Sequence, residues 1–156
     1  MKKTLLLPVL ALLLAGNIMA QSETSGNEMM MECTRIVGEG PHKKMVIWYP
    51  LEFWDVLKTQ ANLPEYYIDK LKDDMKGYLM FCVADYTHSA VGLKFRPEEE
   101  VRKSATLTDS SGKVYYPLAE EEVSPSAALM MNSMKPIFTK MLGQFGEGMV
   151  ILMFKA

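Results

Sequence analysis

Cys33 and Cys82 are the only cysteines of the chain, His42 and His88 its only histidines, and fourteen methionines outnumber both together. Thiols and imidazoles serve most readily as nucleophiles, bases and metal ligands, so their spacing decides which chemistry is open. Cys82, Asp85 and His88 lie close in sequence and could be read as a Cys-His-Asp site. On a strand, however, residues six apart stand about 20 Å apart, against a hydrogen-bond reach of about 3 Å, and Asp85 would face away from Cys82. No catalytic residue is assigned. The chain has no Gly-x-Ser-x-Gly elbow and no Gly-rich phosphate loop before a helix. The histidines lack zinc spacing, and there is no Cys-x-x-Cys redox motif. Glu98-Glu99-Glu100 and Glu120-Glu121-Glu122 lack the glycine and alternating oxygens of a calcium loop, and are expected as solvated loop or edge charges.

Methionine is the unusual count. Met29-Met30-Met31 precedes Cys33 closely, and thioethers with a thiolate favour Cu(I). Met29, Met30, Met31 and Cys33 therefore form an alternative reading, a copper-binding protein. Met130, Met134 and Met141 recur at i, i+4 and i+11, with Ile137 and Phe138 completing the stripe. Such a stripe suits a core-facing helix and equally an adaptable apolar surface that meets a partner. Aromatics gather around 49–67, where they can cap a core or form a contact. The expected interaction surface is Met130, Met134, Phe138 and Met141 together with Trp54, Tyr66 and Tyr67. No cofactor is expected.

The elements that position these residues follow from periodicity. Residues 31–37 and 43–49 read as strands, separated by Gly38-Glu39-Gly40-Pro41. Phe53, Val56 and Leu57 share one helical face, and Ile68, Leu71 and Met75 share another. Pro64 opens the second helix and Gly77 ends it. Residues 78–86 form an apolar run expected as a doubly covered strand, and Val91, Leu93 and Phe95 alternate as in a half-exposed one. Residues 101–108 and 113–116 are expected to pair around the turn Asp109-Ser110-Ser111-Gly112. Residues 126–142 read as a helix that Pro136 should either kink or divide, and 149–154 as a last buried strand. About seven strands joined mostly by turns predict a mainly β fold, an antiparallel β-sandwich with short helices in two connections.

The start of the chain carries an address. Lys2 and Lys3, then the apolar run 5–14, then Gly16 to Ala20 with small residues at both ends, have the order of a secretory signal peptide. An apolar run of about 10 residues is too short to span a bilayer, so no membrane span is expected after cleavage. Removing residues 1–20 leaves a polar leader at 21–30 and a single domain at 31–156, long enough to build its own core. Loss of Lys2 and Lys3 brings the basic residues from 17 to 15 against 19 acids, a mildly acidic balance with no footprint for nucleic acid or anionic lipid. A periplasmic or secreted location permits disulfides. A Cys33–Cys82 bridge would close a loop of about 50 residues and stabilise by roughly 4 kcal/mol, whereas two buried free thiols are the alternative.

Leu107-Thr108-Asp109-Ser110-Ser111-Gly112-Lys113-Val114-Tyr115-Tyr116-Pro117, following the long apolar strand at 78–86, resembles the hairpin of immunoglobulin-like domains in bacterial secreted proteins. The resemblance covers about 40 residues and implies the sandwich architecture, but carries over no functional residue. The expected function is an exported, non-catalytic module that binds another envelope or extracellular protein. The alternatives are Cu(I) binding and an enzyme of unrecognised type. A pocket joining His42 or His88 to a carboxylate and a hydroxyl would favour the last.

Overall fold

Apolar runs make the strands, and Gly or Pro separates them. The computed structural model describes residues 26–61 and 64–156. The expected signal peptide at 1–20, and residues 21–25 of the expected leader, lie outside the described residues. In chain order the first half contains α1 (Gly26–Cys33), β1 (Thr34–Val37), β2 (His42–Tyr49), α2 (Phe53–Ala61), α3 (Glu65–Met75), β3 (Tyr78–Ser89) and β4 (Gly92–Phe95). The second half contains α4 (Glu98–Ser104), β5 (Leu107–Thr108), β6 (Val114–Tyr115), a 3-10 turn at Glu120–Glu122, α5 (Pro125–Leu142), α6 (Gln144–Glu147) and β7 (Val150–Lys155).

Strands β1, β2, β3, β4 and β7 form one five-stranded antiparallel sheet. β3 is its spine. One flank pairs with β2 along its length, Tyr49 opposite Met80 through His42 opposite Thr87. The other flank is shared: β7 takes Tyr78 to Val83, and β4 takes Tyr86 to Ser89. β1 adds to the free side of β2. Gly38, at φ 119° in the β1–β2 turn, lies so close to the His42 carbonyl that a side chain there would overlap it.

Alternation sorts the strand residues onto two faces. On the first, Ile47, Met80, Cys82, Ala84, Ile151 and Met153 form a floor. It is covered by Phe53 and Trp54 of α2, by Ile68, Leu71 and Met75 of α3, and by Met130, Met134 and Phe138 of α5. α5 starts cleanly, with Pro125 in its first turn and the Ser124 hydroxyl accepting from the Ala127 N–H at 3.3 Å. Helices therefore occupy the layer where a second sheet was expected. The fold is mixed α/β, not a mainly β sandwich. The only other strands among the described residues, β5 and β6, are two residues each and pair with one another around the expected turn. There the Asp109 carboxylate accepts from the Ser111 hydroxyl at 2.6 Å, from Tyr115 Oη at 3.0 Å, and from the N–H groups of Lys113 and Ser111. The Ser111 hydroxyl first, then the Tyr115 hydroxyl and the two N–H groups, hold that carboxyl down at about 2.

Two local expectations are also corrected. Residues 26–33 are helical, so half of the expected leader and the start of the expected first strand belong to α1. Residues 98–104 form α4 instead of a strand and its acidic approach. Three glutamates in the first turn and Arg102 and Lys103 in the last suit the helix dipole. Glu98 pairs with Arg102 at 2.8 Å across one turn, and Arg96 pairs with Glu100 at 2.9 Å.

Candidate functional site

The second face of the sheet is only partly covered. α4 lies on it through Val101, which packs with Val83, Val150, Leu152 and Phe154. The Arg102 guanidinium fixes the helix in place by donating to the Ile151 carbonyl at 3.0 Å. This covers β7 and half of β3 and leaves β2 largely open, with Val46 and Trp48 half-buried. A groove of about 240 Å³ results, floored by Val83, Leu152 and Phe154 and walled by Val46, Phe81 and Leu107. Lys44 stands in its lining.

Two residues further along the same strands, oil gives way to charge. Asp85 follows Phe81 and Val83 at the same parity, so it faces α4 and the groove instead of the main core. Its side chain is 1% exposed. A buried carboxylate needs compensation, and three side chains converge on it. Lys44, its direct cross-strand neighbour, brings Nζ to 3.4 Å from Oδ2. Arg96 brings a guanidinium nitrogen to 3.5 Å from Oδ2, and the Arg96 N–H donates to the Asp85 carbonyl at 2.8 Å. His42 Nε2 lies 3.1 Å from Oδ1 but is not aimed to donate, and Oδ1 has no hydrogen-bond partner among the described residues. His42 Nδ1 lies 3.4 Å from the Thr87 hydroxyl on the facing strand. Asp85, Arg96, His42 and Thr87, with Lys94, Pro97 and Glu100, line a cleft of about 390 Å³, and Lys44 stands in the lining of the neighbouring groove. The cleft joins His42 to a carboxylate and a hydroxyl.

The residues first expected to act lie elsewhere. Met130, Met134, Phe138 and Trp54, expected at a contact surface, are buried at 7%, 4%, 1% and 0% exposure. Their helical spacing is the spacing of the core, because the face they share is the one α2 and α5 turn to the sheet. The Met141 side chain lies outside the described residues. Tyr66 and Tyr67 are exposed at the start of α3. Met29 and Met30 pack partly against the core, whereas Met31 is 74% exposed. On α1, Met29 and Met30 stand four and three residues before Cys33, the spacing that shares a helix face, whereas Met31 lies off that face. Among the described residues no group of three or more His, Cys, Asp or Glu is set to hold a metal ion, and no helix is long and apolar enough to cross a membrane.

Cys33 and Cys82 are both free thiols. Thr34 and Cys82 flank Ile47 from opposite sides. Thr34, the chain neighbour of Cys33, thus stands two strand spacings, about 10 Å, from Cys82. Burial raises both thiols above their ordinary range, Cys82 the more strongly. Tyr49, whose Oη is buried without a partner among the described residues, is raised first by burial and then by the neighbouring Cys82 and Cys33.

Sequence reasoning named His42 only as a possible partner of a carboxylate and a hydroxyl, and passed over Lys44 and Arg96, which reach Asp85 from β2 and from the residue after β4. Asp85 did carry a signal, as the only charge within the apolar run 78–86. Compared with known proteins, the chain matches no family model, no curated protein and no solved structure.

Proposed function

We propose that the chain is an exported, non-catalytic binding module of the bacterial envelope that meets its partner through the grooved face of the sheet. The observation that carries this is the half-covered second face, where an apolar groove lies beside the buried Asp85 cluster and the Lys44–Asp85 ion pair links the two. Monomeric domains rarely leave such a surface open without a use. The basic, apolar and small-residue order of 1–20 supports export. The Met-rich helix no longer supports contact, since its stripe is core.

A photoreactive amino acid placed at Trp48 or at Leu129, followed by crosslinking in cells, tests this. Trp48 lies on the grooved side, and Leu129 is exposed on α5. Adducts from Trp48 and none from Leu129 are expected. Adducts from Leu129 alone, or from neither position, overturn the reading.

One observation favours a second reading, hydrolysis by an activated hydroxyl. Asp85, His42 and Thr87 stand in the order carboxylate, imidazole, hydroxyl. It ranks second because the His42 side chain is 58% exposed and no hydrogen bond to Asp85 orients its ring. Turnover of p-nitrophenyl acetate that disappears in both His42→Ala and Thr87→Ala supports it, and equal rates in all three proteins retire it.

A further inference from the structure

We infer that the groove seats a single-chain acyl carboxylate, its chain lying over Val83 and Leu152 and its carboxylate at Lys44; the inference rests on the grooved face being the contact surface. The floor residues Val83, Leu152 and Phe154 are buried, and the walls Val46, Phe81 and Leu107 are apolar. The Ser104 hydroxyl on the rim is already engaged with the Glu100 and Val101 carbonyls. Lys44 is the only charged residue in the lining among the described residues. Its side chain is 38% exposed, and its ammonium has the 3.4 Å ion pair to Asp85 with no hydrogen bond among the described residues. Arg96 remains beside Asp85 when Lys44 turns to a ligand. The complement of this lining is an apolar chain ending in an anion.

Size and backbone chemistry narrow the class. At about 30 Å³ per water-sized group, 240 Å³ holds about eight such groups, a short acyl chain and not a two-chain lipid. A peptide fits the groove poorly. β3 is paired on both flanks here, by β2 and β7, so an extended peptide would bring its own amides against apolar side chains with no strand edge to answer them.

Calorimetric titration of the purified exported chain with hexanoate, octanoate, decanoate, octanol and octylammonium tests the inference. Each methylene should tighten binding by up to about four-fold through eight carbons, with little gain beyond. Octanoate should bind at least tenfold tighter than octylammonium. Lys44→Met should abolish the preference of octanoate over octanol while keeping the chain-length dependence. Ala105→Trp, which fills the groove, should abolish octanoate binding with an unchanged near-UV circular dichroism spectrum. Octylammonium binding as tightly as octanoate, no dependence on chain length, unaltered binding by Ala105→Trp, or binding only to phosphatidylglycerol vesicles each overturns it. If none of the five compounds binds but Trp48 still crosslinks to a protein, the acyl ligand falls and the binding module stands. If both experiments fail, both fall.

Discussion

At the scale of single residues, the chemistry is governed by which face of a strand a side chain takes. Cys82 and Asp85 are three positions apart and live in different environments: one faces the helix-covered core, the other the grooved face. That separation was legible from alternation alone. The company Asp85 keeps was not, because Lys44 and His42 reach it by strand register and Arg96 by the course of the chain after β4. The same logic makes the cysteines testable. Burial raises Cys33 modestly and Cys82 far more, so at pH 8 the thiolate fraction of Cys33 is low and that of Cys82 negligible. Unreduced native protein treated with iodoacetamide should take up one label, slowly, at Cys33, and a second at Cys82 only after unfolding in urea. Mass spectrometry reads both. Labels that appear only after a reductant is added would show a bridge instead.

At the scale of elements, long segments with strong periodicity could be read and short charged ones could not. β2, β3 and β7 come from apolar runs, and α2, α3 and α5 from apolar residues at i, i+3 and i+4. α4 escaped because it offers a single buried apolar residue, Val101, and declares itself through charges arranged along its axis. The layer opposite the sheet was misassigned for a related reason. Periodicity states that a helix has an apolar face, not whether that face meets a sheet or a partner. Phe138 settles the matter for α5, since its ring lies 5.0 Å from that of Tyr49. Phe138→Ala should destabilise the protein by about 3–5 kcal/mol in urea unfolding. Leu129→Ala, on the exposed side of the same helix, should stay within about 0.5 kcal/mol. Comparable costs at the two positions would mean that α5 is not seated as described.

At the scale of the whole molecule, both faces depend on one sheet, so neither can come apart alone. Cys82 and Val83 are neighbours on β3, yet they belong to the main core and to the smaller cluster under α4 respectively. Unfolding should therefore be a single cooperative transition. Trp48→Phe leaves Trp54 as the sole indole, placed in the main core. Its fluorescence should fall along the same urea curve as the far-UV circular dichroism of that variant. Two separated midpoints would show that the helical layer leaves the sheet before the sheet melts.

The divided flank of β3 matters before the molecule is ever complete. β4 follows β3 after a two-residue tip and can dock at once, but β7 is synthesised only after α4, the β5–β6 hairpin and α5. Until Val150–Lys155 joins, β2 holds one edge of Leu79, Met80, Phe81, Cys82 and Val83 while the other stays unpaired, the kind of apolar edge that joins its like in a neighbouring chain. Any product that stops short of Val150 keeps that edge bare for good. It becomes work for chaperones and proteases.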